Sequence, residues 1–200
     1  MYGISAILLA AGESTRMGRL KAVLPWQNLT LIEYLVQSLQ KAGVAEVVVV
    51  VGHRGDEVEA PVMGKPGVTT VVNPDYMQGK TTSIKAGLRN VSSSATGILV
   101  LSVDQPRPAH IVESVIKAHL EHGAPITCPV YRGHGGHPLV FSSSLLPELS
   151  AITEEGQGLR EVTLRHKDYT YQLQVDSPIV TVDVNSPEDL EKALALFASE

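Results

Sequence analysis

The apolar positions of this chain fall into two patterns, and they alternate. Ile4–Ala11, Val47–Val51 and Gly97–Val103 are short, nearly continuous runs of aliphatic and β-branched residues, the pattern of strands buried on both faces. Val68–Val72 is read as a further strand of the same set. Between the runs, apolar residues recur at helical spacing: Leu31, Ile32, Leu35, Val36 and Leu39, then Ile84 and Leu88, then Ile111, Val115, Ile116 and Leu120. These predict helices over Leu29–Ala42, Lys80–Val91 and Ala109–His122. Thr30 is placed as the N-cap and Gly43 as the stop of the first, and Gly123 as the stop of the third. A short helix is predicted over Gly55–Met63, ended by Lys65-Pro66-Gly67.

The second half is less regular. Pro125–Tyr131 and Leu139–Phe141 read as strands flanking a glycine-histidine loop, and Leu145–Leu149 and Leu159–Leu164 as short helices. Tyr169–Val175 alternates and is read as an antiparallel strand, and Ile179–Val184 as a final strand. Ser186-Pro187-Glu188-Asp189 then opens a last helix reaching Ala198. A serine N-cap, proline at the first helical position and acids in the first turn all suit a helix start. Strands alternating with helices imply an α/β fold with a mainly parallel sheet flanked by helices. In such sheets the crossovers are right-handed and ligands sit at the carboxyl ends of the strands. Gly12, Gly52, Asn73 and Asp104 each follow a predicted strand, so they fall along one edge. With no repeat, low-complexity run or linker, residues 1–200 are read as a single domain.

Charge and composition narrow the partners. The formal net charge is −5 over 200 residues, which argues against nucleic acid as a partner, since such domains carry a broad basic surface. The lone cysteine, Cys128, excludes an internal disulfide and a cysteine-only zinc cluster; in the apolar stretch Ile126–Val130 it is read as a buried small hydrophobe. No basic region precedes the first apolar run, and that run is too short to span a bilayer. A cytoplasmic protein without a membrane partner is the expectation.

The first strand gives way to Gly12–Lys21, a loop with three cations and one acid in an otherwise acidic chain. Glycine lets backbone N–H groups turn toward an anion, so a strand, a glycine-bearing loop and cations suit a polyphosphate. An ordinary tight turn with surface cations fits the same residues. The loop lacks G-x-G-x-x-G, and Gly18 is followed by Arg19 and Leu20 rather than a Walker Lys-Ser/Thr. Gly79-Lys80-Thr81 is excluded as a Walker loop as well, because Pro74 stands where its first glycine belongs. His53 reads as a loop residue, and His134 and His137 lack a cysteine or acid at zinc-site spacing.

Leu9-Ala10-Ala11-Gly12-Glu13-Ser14-Thr15-Arg16-Met17-Gly18, with Lys21 three residues on, resembles the L-A-A-G-x-S-x-R-M-G-x-x-K signature of the nucleotidyltransferases. Within that superfamily the chain is most similar to molybdenum cofactor cytidylyltransferase-like proteins. The resemblance implies a Rossmann-like, nucleotide-diphospho-sugar transferase-like sheet of roughly seven strands. It implies nucleotide binding by Leu9, Ala10, Ala11, Gly12, Arg16 and Lys21. The segment from Asn73 to Ser83 resembles N-P-x-x-x-x-G-x-x-x-S, which adds Asn73, Gly79 and Ser83 to the nucleoside site. Asp104-Gln105-Pro106 resembles the family's G-D-Q-P, with Val103 in place of the glycine, and makes Asp104 a nucleotide and Mg²⁺ ligand. Arg16, Lys21 and Asp104 are the implied catalytic residues. Asp183, in a stretch resembling D-I-D-T-P-E-D, becomes the second metal ligand, with Asn185 replacing the second aspartate. Gly136, His137 and Pro138 resemble the R-G-H-P acceptor segment. Arg160 resembles the arginine of G-D-x-G-A-R, with Gln157 and Leu159 departing from it; acceptor contact and a helix-surface role are both open. The implied substrates are a nucleoside triphosphate, CTP favoured, and a phosphorylated acceptor, molybdopterin-type cofactor favoured. A molybdoenzyme is the implied partner downstream. Guanylyl transfer, transfer to a sugar or alcohol phosphate, and a non-catalytic cofactor-delivery role are the alternatives.

Overall fold

A computed structural model describes residues 3–198. In chain order the elements are β1 (Ile4–Ala10), β2 (Pro25–Trp26), β3 (Leu29–Thr30), α1 (Leu31–Lys41), β4 (Glu46–Val51), α2 (Gly55–Glu59), β5 (Val68–Val72), α3 (Lys80–Leu88), β6 (Gly97–Ser102), α4 (Ala109–His122), β7 (Ile126–Tyr131), β8 (His134–Gly135), β9 (Leu139–Ser142), α5 (Leu146–Ala151), α6 (Leu159–Arg165), β10 (Thr170–Gln174) and α7 (Pro187–Phe197).

The main sheet runs β10-β7-β9-β6-β1-β4-β5, with β8 paired to β7. β1 pairs parallel with β4 and β6, and β4 with β5. β9 runs against both of its neighbours. β1 is therefore central, and all seven of its residues are buried. Its side chains alternate between two cores: Ile4, Ala6, Leu8 and Ala10 pack with residues of α1, α4 and α7, while Ile7 and Leu9 pack with residues of α3, α5 and α6. A strand covered on both faces has to be apolar at every position, which explains the unbroken run in the sequence. Ser5, its one polar side chain, donates to Glu46 Oε1 at 2.6 Å.

Helix starts follow their capping chemistry. Thr30 and Glu33 form a capping box on α1, and Ser186 and Asp189 form one on α7. Three expectations are corrected. The strand near Tyr169 is β10, and it pairs parallel, not antiparallel, with β7. The chain crosses from β9 through α5 and α6 before it re-enters the sheet, so it returns in β7's direction. Ile179–Val184 is not a strand. Pro178–Thr181 forms a 3-10 turn, and the carbonyls of Val180 and Val182 accept from the Arg107 side chain instead of from a neighbouring strand. Cys128 is half-buried rather than buried, because it lies on β7 beside β10, the last strand of that side of the sheet. The small β2–β3 hairpin was not foreseen; it turns through Gln27 at φ 54° and seats Trp26, fully buried, in the first core.

Candidate active site

The carboxyl ends of β1, β4, β5 and β6 open onto one face, and the segments that follow β1, β5 and β6 line a cleft of about 270 Å³ there. The loop after β1 is tied to the loop after β4 by a hydrogen bond from His53 N to Ala11 O, 3.0 Å. Gly52 lies beneath this junction. A Cβ there would stand 2.8 Å from both Ala11 O and the Tyr76 side chain, so the close approach of the tyrosine requires glycine. Farther along, a 3-10 turn over Thr15–Met17 is bracketed by Ser14 and Gly18, both left-handed. A non-glycine residue in that region is strained, and it persists only where its surroundings fix it. Here Lys21 N donates to Ser14 Oγ at 3.2 Å, and buried Met17 anchors the turn.

The cations of this loop converge on two other segments. Lys21 Nζ lies 3.1 Å from Asp104 Oδ2 and donates to Asn185 Oδ1 at 2.8 Å. Arg16 Nη2 donates to the same Asn185 oxygen at 3.2 Å. A neutral amide oxygen thus gathers two cations without cancelling either charge, which a carboxylate at position 185 would not do. Val184 N donates to Asp104 O at 2.7 Å and brings the segment after Val182 beside the end of β6. The Asp183 side chain keeps contact with solvent, yet desolvation of its carboxylate and the charge of Asp104 raise its pKa, while Arg107 and a hydrogen bond from Gln105 oppose the rise. Two carboxylates that repel each other at the edge of an oxygen-rich cleft form a donor set suited to a hard divalent cation.

Of the residues placed on the nucleotide, Leu9, Ala11, Gly12, Lys21, Gly79, Ser83 and Asp104 line the cleft. Ala10 is buried in the end of β1. Asn73 stands behind the lining: its Nδ2 donates to Thr82 Oγ1 and Ser83 Oγ, both at 2.9 Å, and its Oδ1 accepts from Asp75 N at 3.0 Å. With its amide engaged in this way, Asn73 orients Ser83 and the first turn of α3.

A second cavity of about 390 Å³ adjoins the first. His137 and Arg160 line it together with Lys80, Glu154 and the apolar Ile84, Leu139 and Leu159. Gly136 and Pro138 are buried and shape the loop that presents His137. Gly136 packs so closely on the Val180 carbonyl that any side chain would collide with it. Glu154 Oε1 accepts from Thr81 N at 2.6 Å and Thr81 Oγ1 at 2.8 Å, and so pins the loop before α6 to the start of α3.

Arg107, Asn185, Lys80 and Glu154 are the site residues that sequence reasoning did not select. Arg107 has no exposed surface. Its Nε donates to His137 O at 2.9 Å, Nη1 to Pro106 O at 2.7 Å and Val182 O at 2.8 Å, and Nη2 to Val180 O at 2.8 Å. Burial lowers its pKa to about 10, a fall that Asp183 and Asp104 restrain, so it stays charged near neutrality. It joins the loop of Asp104, the loop of His137 and the segment of Asp183. His137 is pushed down to about 4 by desolvation, then by the charges of Arg107 and Lys80, and is therefore a neutral imidazole at pH 7. The only sequence signal for Arg107 was a cation between two prolines directly after Asp104-Gln105.

The family described as MobA-like NTP transferase domain matches residues 6–170. Molybdenum cofactor cytidylyltransferase of Escherichia coli (strain K12) is 28% identical over 189 residues, covering 94% of each chain. Nicotine blue oxidoreductase of Paenarthrobacter nicotinovorans is 32% identical over 203 residues, covering 97% of this chain and 95% of its own. Among solved structures, Rv0371c of Mycobacterium tuberculosis H37Rv, in complex with manganese, superposes with a TM-score of 0.77 at 26% identity, covering 96% of this chain and 98% of that one.

Proposed function

Because the chain belongs to the MobA-like NTP transferase family, we propose that it transfers CMP from CTP to the phosphate of a molybdopterin-type molybdenum cofactor and releases pyrophosphate. The observation that carries this reading is the meeting of Arg16 and Lys21 on Asn185, with Lys21 also paired to Asp104 and Asp183 alongside, at the mouth of the β1 loop. In the proposed reaction an oxygen of the acceptor phosphate attacks the α-phosphorus, and the bond to the bridging oxygen breaks as pyrophosphate leaves. The attacking oxygen is already anionic, so no proton relay is needed. What the chain has to supply is alignment and relief of repulsion between anions, the terms that dominate phosphoryl chemistry.

Backbone near Gly12, with Arg16 and Lys21, would hold the triphosphate. The Lys21–Asp104 pair fixes the ammonium before substrate arrives, which saves reorganisation during reaction. Asp104 and Asp183 would hold Mg²⁺, and the ion, when bound, supplies neutralisation of phosphate charge. His137, uncharged, and Arg160 face the cavity proposed for the acceptor. Binding of the acceptor there aligns it with the triphosphate in the adjoining cleft.

The identity to nicotine blue oxidoreductase favours a second reading, an oxidoreductase using the same two cavities. Two cations beside two carboxylates are a phosphate-and-metal arrangement, and this supports the transferase reading over it. The test is pyrophosphate release from CTP, GTP, ATP and UTP in the presence of the pterin cofactor and Mg²⁺. Release with CTP is expected. Release with GTP instead moves the reading to guanylyl transfer, release only with a sugar phosphate as acceptor changes the second substrate, and binding without release marks a delivery protein.

A further inference from the structure

Lys80 is the first residue of α3 and stands where the two cavities meet; among the described residues it is the one that lines both. Its charge acts on Asp183 on one side and on His137 on the other. Among the described residues no carboxylate pairs with it. Glu154, the acid in the lining of the second cavity, is instead taken up by the backbone and hydroxyl of Thr81. Lys21 differs in this respect, being held by Asp104 and Asn185 within the first cleft. An exposed lysine without a partner is commonplace on a protein surface. This one is shared by the linings of two adjoining cavities.

The nucleotidyl-transfer reading, on which this inference rests, places the triphosphate in the first cleft and a phosphorylated acceptor in the second. The two reacting groups are both anions and have to meet at the junction. We propose that Lys80 is a catalytic residue whose ammonium contacts the acceptor phosphate and the α-phosphate together. It draws them into line as the new oxygen–phosphorus bond forms and the bond to the departing pyrophosphate breaks. Lys80 acts here through its charge alone and exchanges no proton. Its flexible stem lets one charge follow the phosphates as they approach, whereas Lys21 is fixed to the triphosphate side.

The experiment compares wild type with Lys80→Met, which keeps the stem and removes the charge, and with Lys80→Arg. Pyrophosphate release and equilibrium binding of CTP are measured for each. Lys80→Met is expected to lose kcat by about a hundredfold, the usual consequence of deleting one charge-stabilising donor. Its CTP affinity should stay within about threefold of wild type, because ground-state grip on the triphosphate belongs to the β1 loop. Lys80→Arg should recover at least about tenfold of the lost rate, since the charge returns. Turnover by Lys80→Met within about threefold of wild type overturns the proposal, and so does a defect confined to CTP affinity. A wild-type protein that releases no pyrophosphate with any triphosphate overturns the transferase reading itself, and the role of Lys80 with it.

Discussion

Replacing Arg107 by methionine tests whether one buried guanidinium holds the active-site segments together. The substitution has two opposing effects. It relieves the burial of a charge, which the fall in pKa from 12.5 to about 10 puts at about 3 kcal/mol. It also strips donors from the carbonyls of Pro106, His137, Val180 and Val182. The Val180 carbonyl keeps a second donor, His137 N at 2.8 Å, so three acceptors are left without partners. At about 1–3 kcal/mol for each orphaned buried group, the loss centres on roughly 6 kcal/mol. The net is a destabilisation of about 3 kcal/mol, a large share of the stability of an ordinary domain. Urea denaturation measures it as a fall in midpoint at constant m-value. Arg107→Lys restores the charge but not the planar fork, and should fall between methionine and wild type. A methionine variant within about 1 kcal/mol of wild type would show that the carbonyls find other donors, and that the segments carrying Asp104, His137 and Asp183 do not depend on this residue.

Two further predictions concern titration and metal. His137 is held near pH 4 in the folded protein, against about 6.5 in an unfolded chain. The unfolded state therefore takes up a proton first, and stability falls as pH drops from about 6.5 toward 4, by about 2 kcal/mol between pH 7 and pH 5. Denaturation at those two pH values, compared with His137→Asn, checks this; an equally steep fall in the variant would assign the effect elsewhere. Chelation by EDTA is expected to stop turnover and Mg²⁺ to restore it, with Asp183→Asn needing about tenfold more Mg²⁺ for half-maximal rate. An unchanged Mg²⁺ requirement in Asp183→Asn would remove that residue from the metal site.

The parts of the site that sequence exposed are those whose chemistry is written in consecutive residues. The turn after β1 shows itself through Gly12, Ser14 and Gly18, and the start of α7 through Ser186 and Asp189, because caps and turns depend on local backbone geometry. Arg107 and Asn185 were passed over for the opposite reason. Arg107 acts on carbonyls 30, 73 and 75 positions away, and a carbonyl acceptor leaves no trace in the side-chain pattern. The stretch after Pro178 was misread because its apolar side chains fit a strand, while its hydrogen bonds go to a guanidinium. The resemblance named Asn73 from its motif, but not that its amide holds Thr82 and Ser83 at the start of α3, a pairing across the turn that only the structure shows.

Periodicity alone determined that this chain alternates strand and helix, and that β1 is covered on both faces of its sheet, since a run without polar positions tolerates no solvent on either face. It also determined that glycine and cations follow β1. Only the tertiary structure decided the direction of β10, which depends on where a crossover returns the chain. Only the tertiary structure brought Asp183 to Asp104 and Lys80 to the meeting of two cavities. Those juxtapositions are set by how separate segments pack against one another, and packing between segments distant in sequence is not encoded in the local alternation of polar and apolar residues.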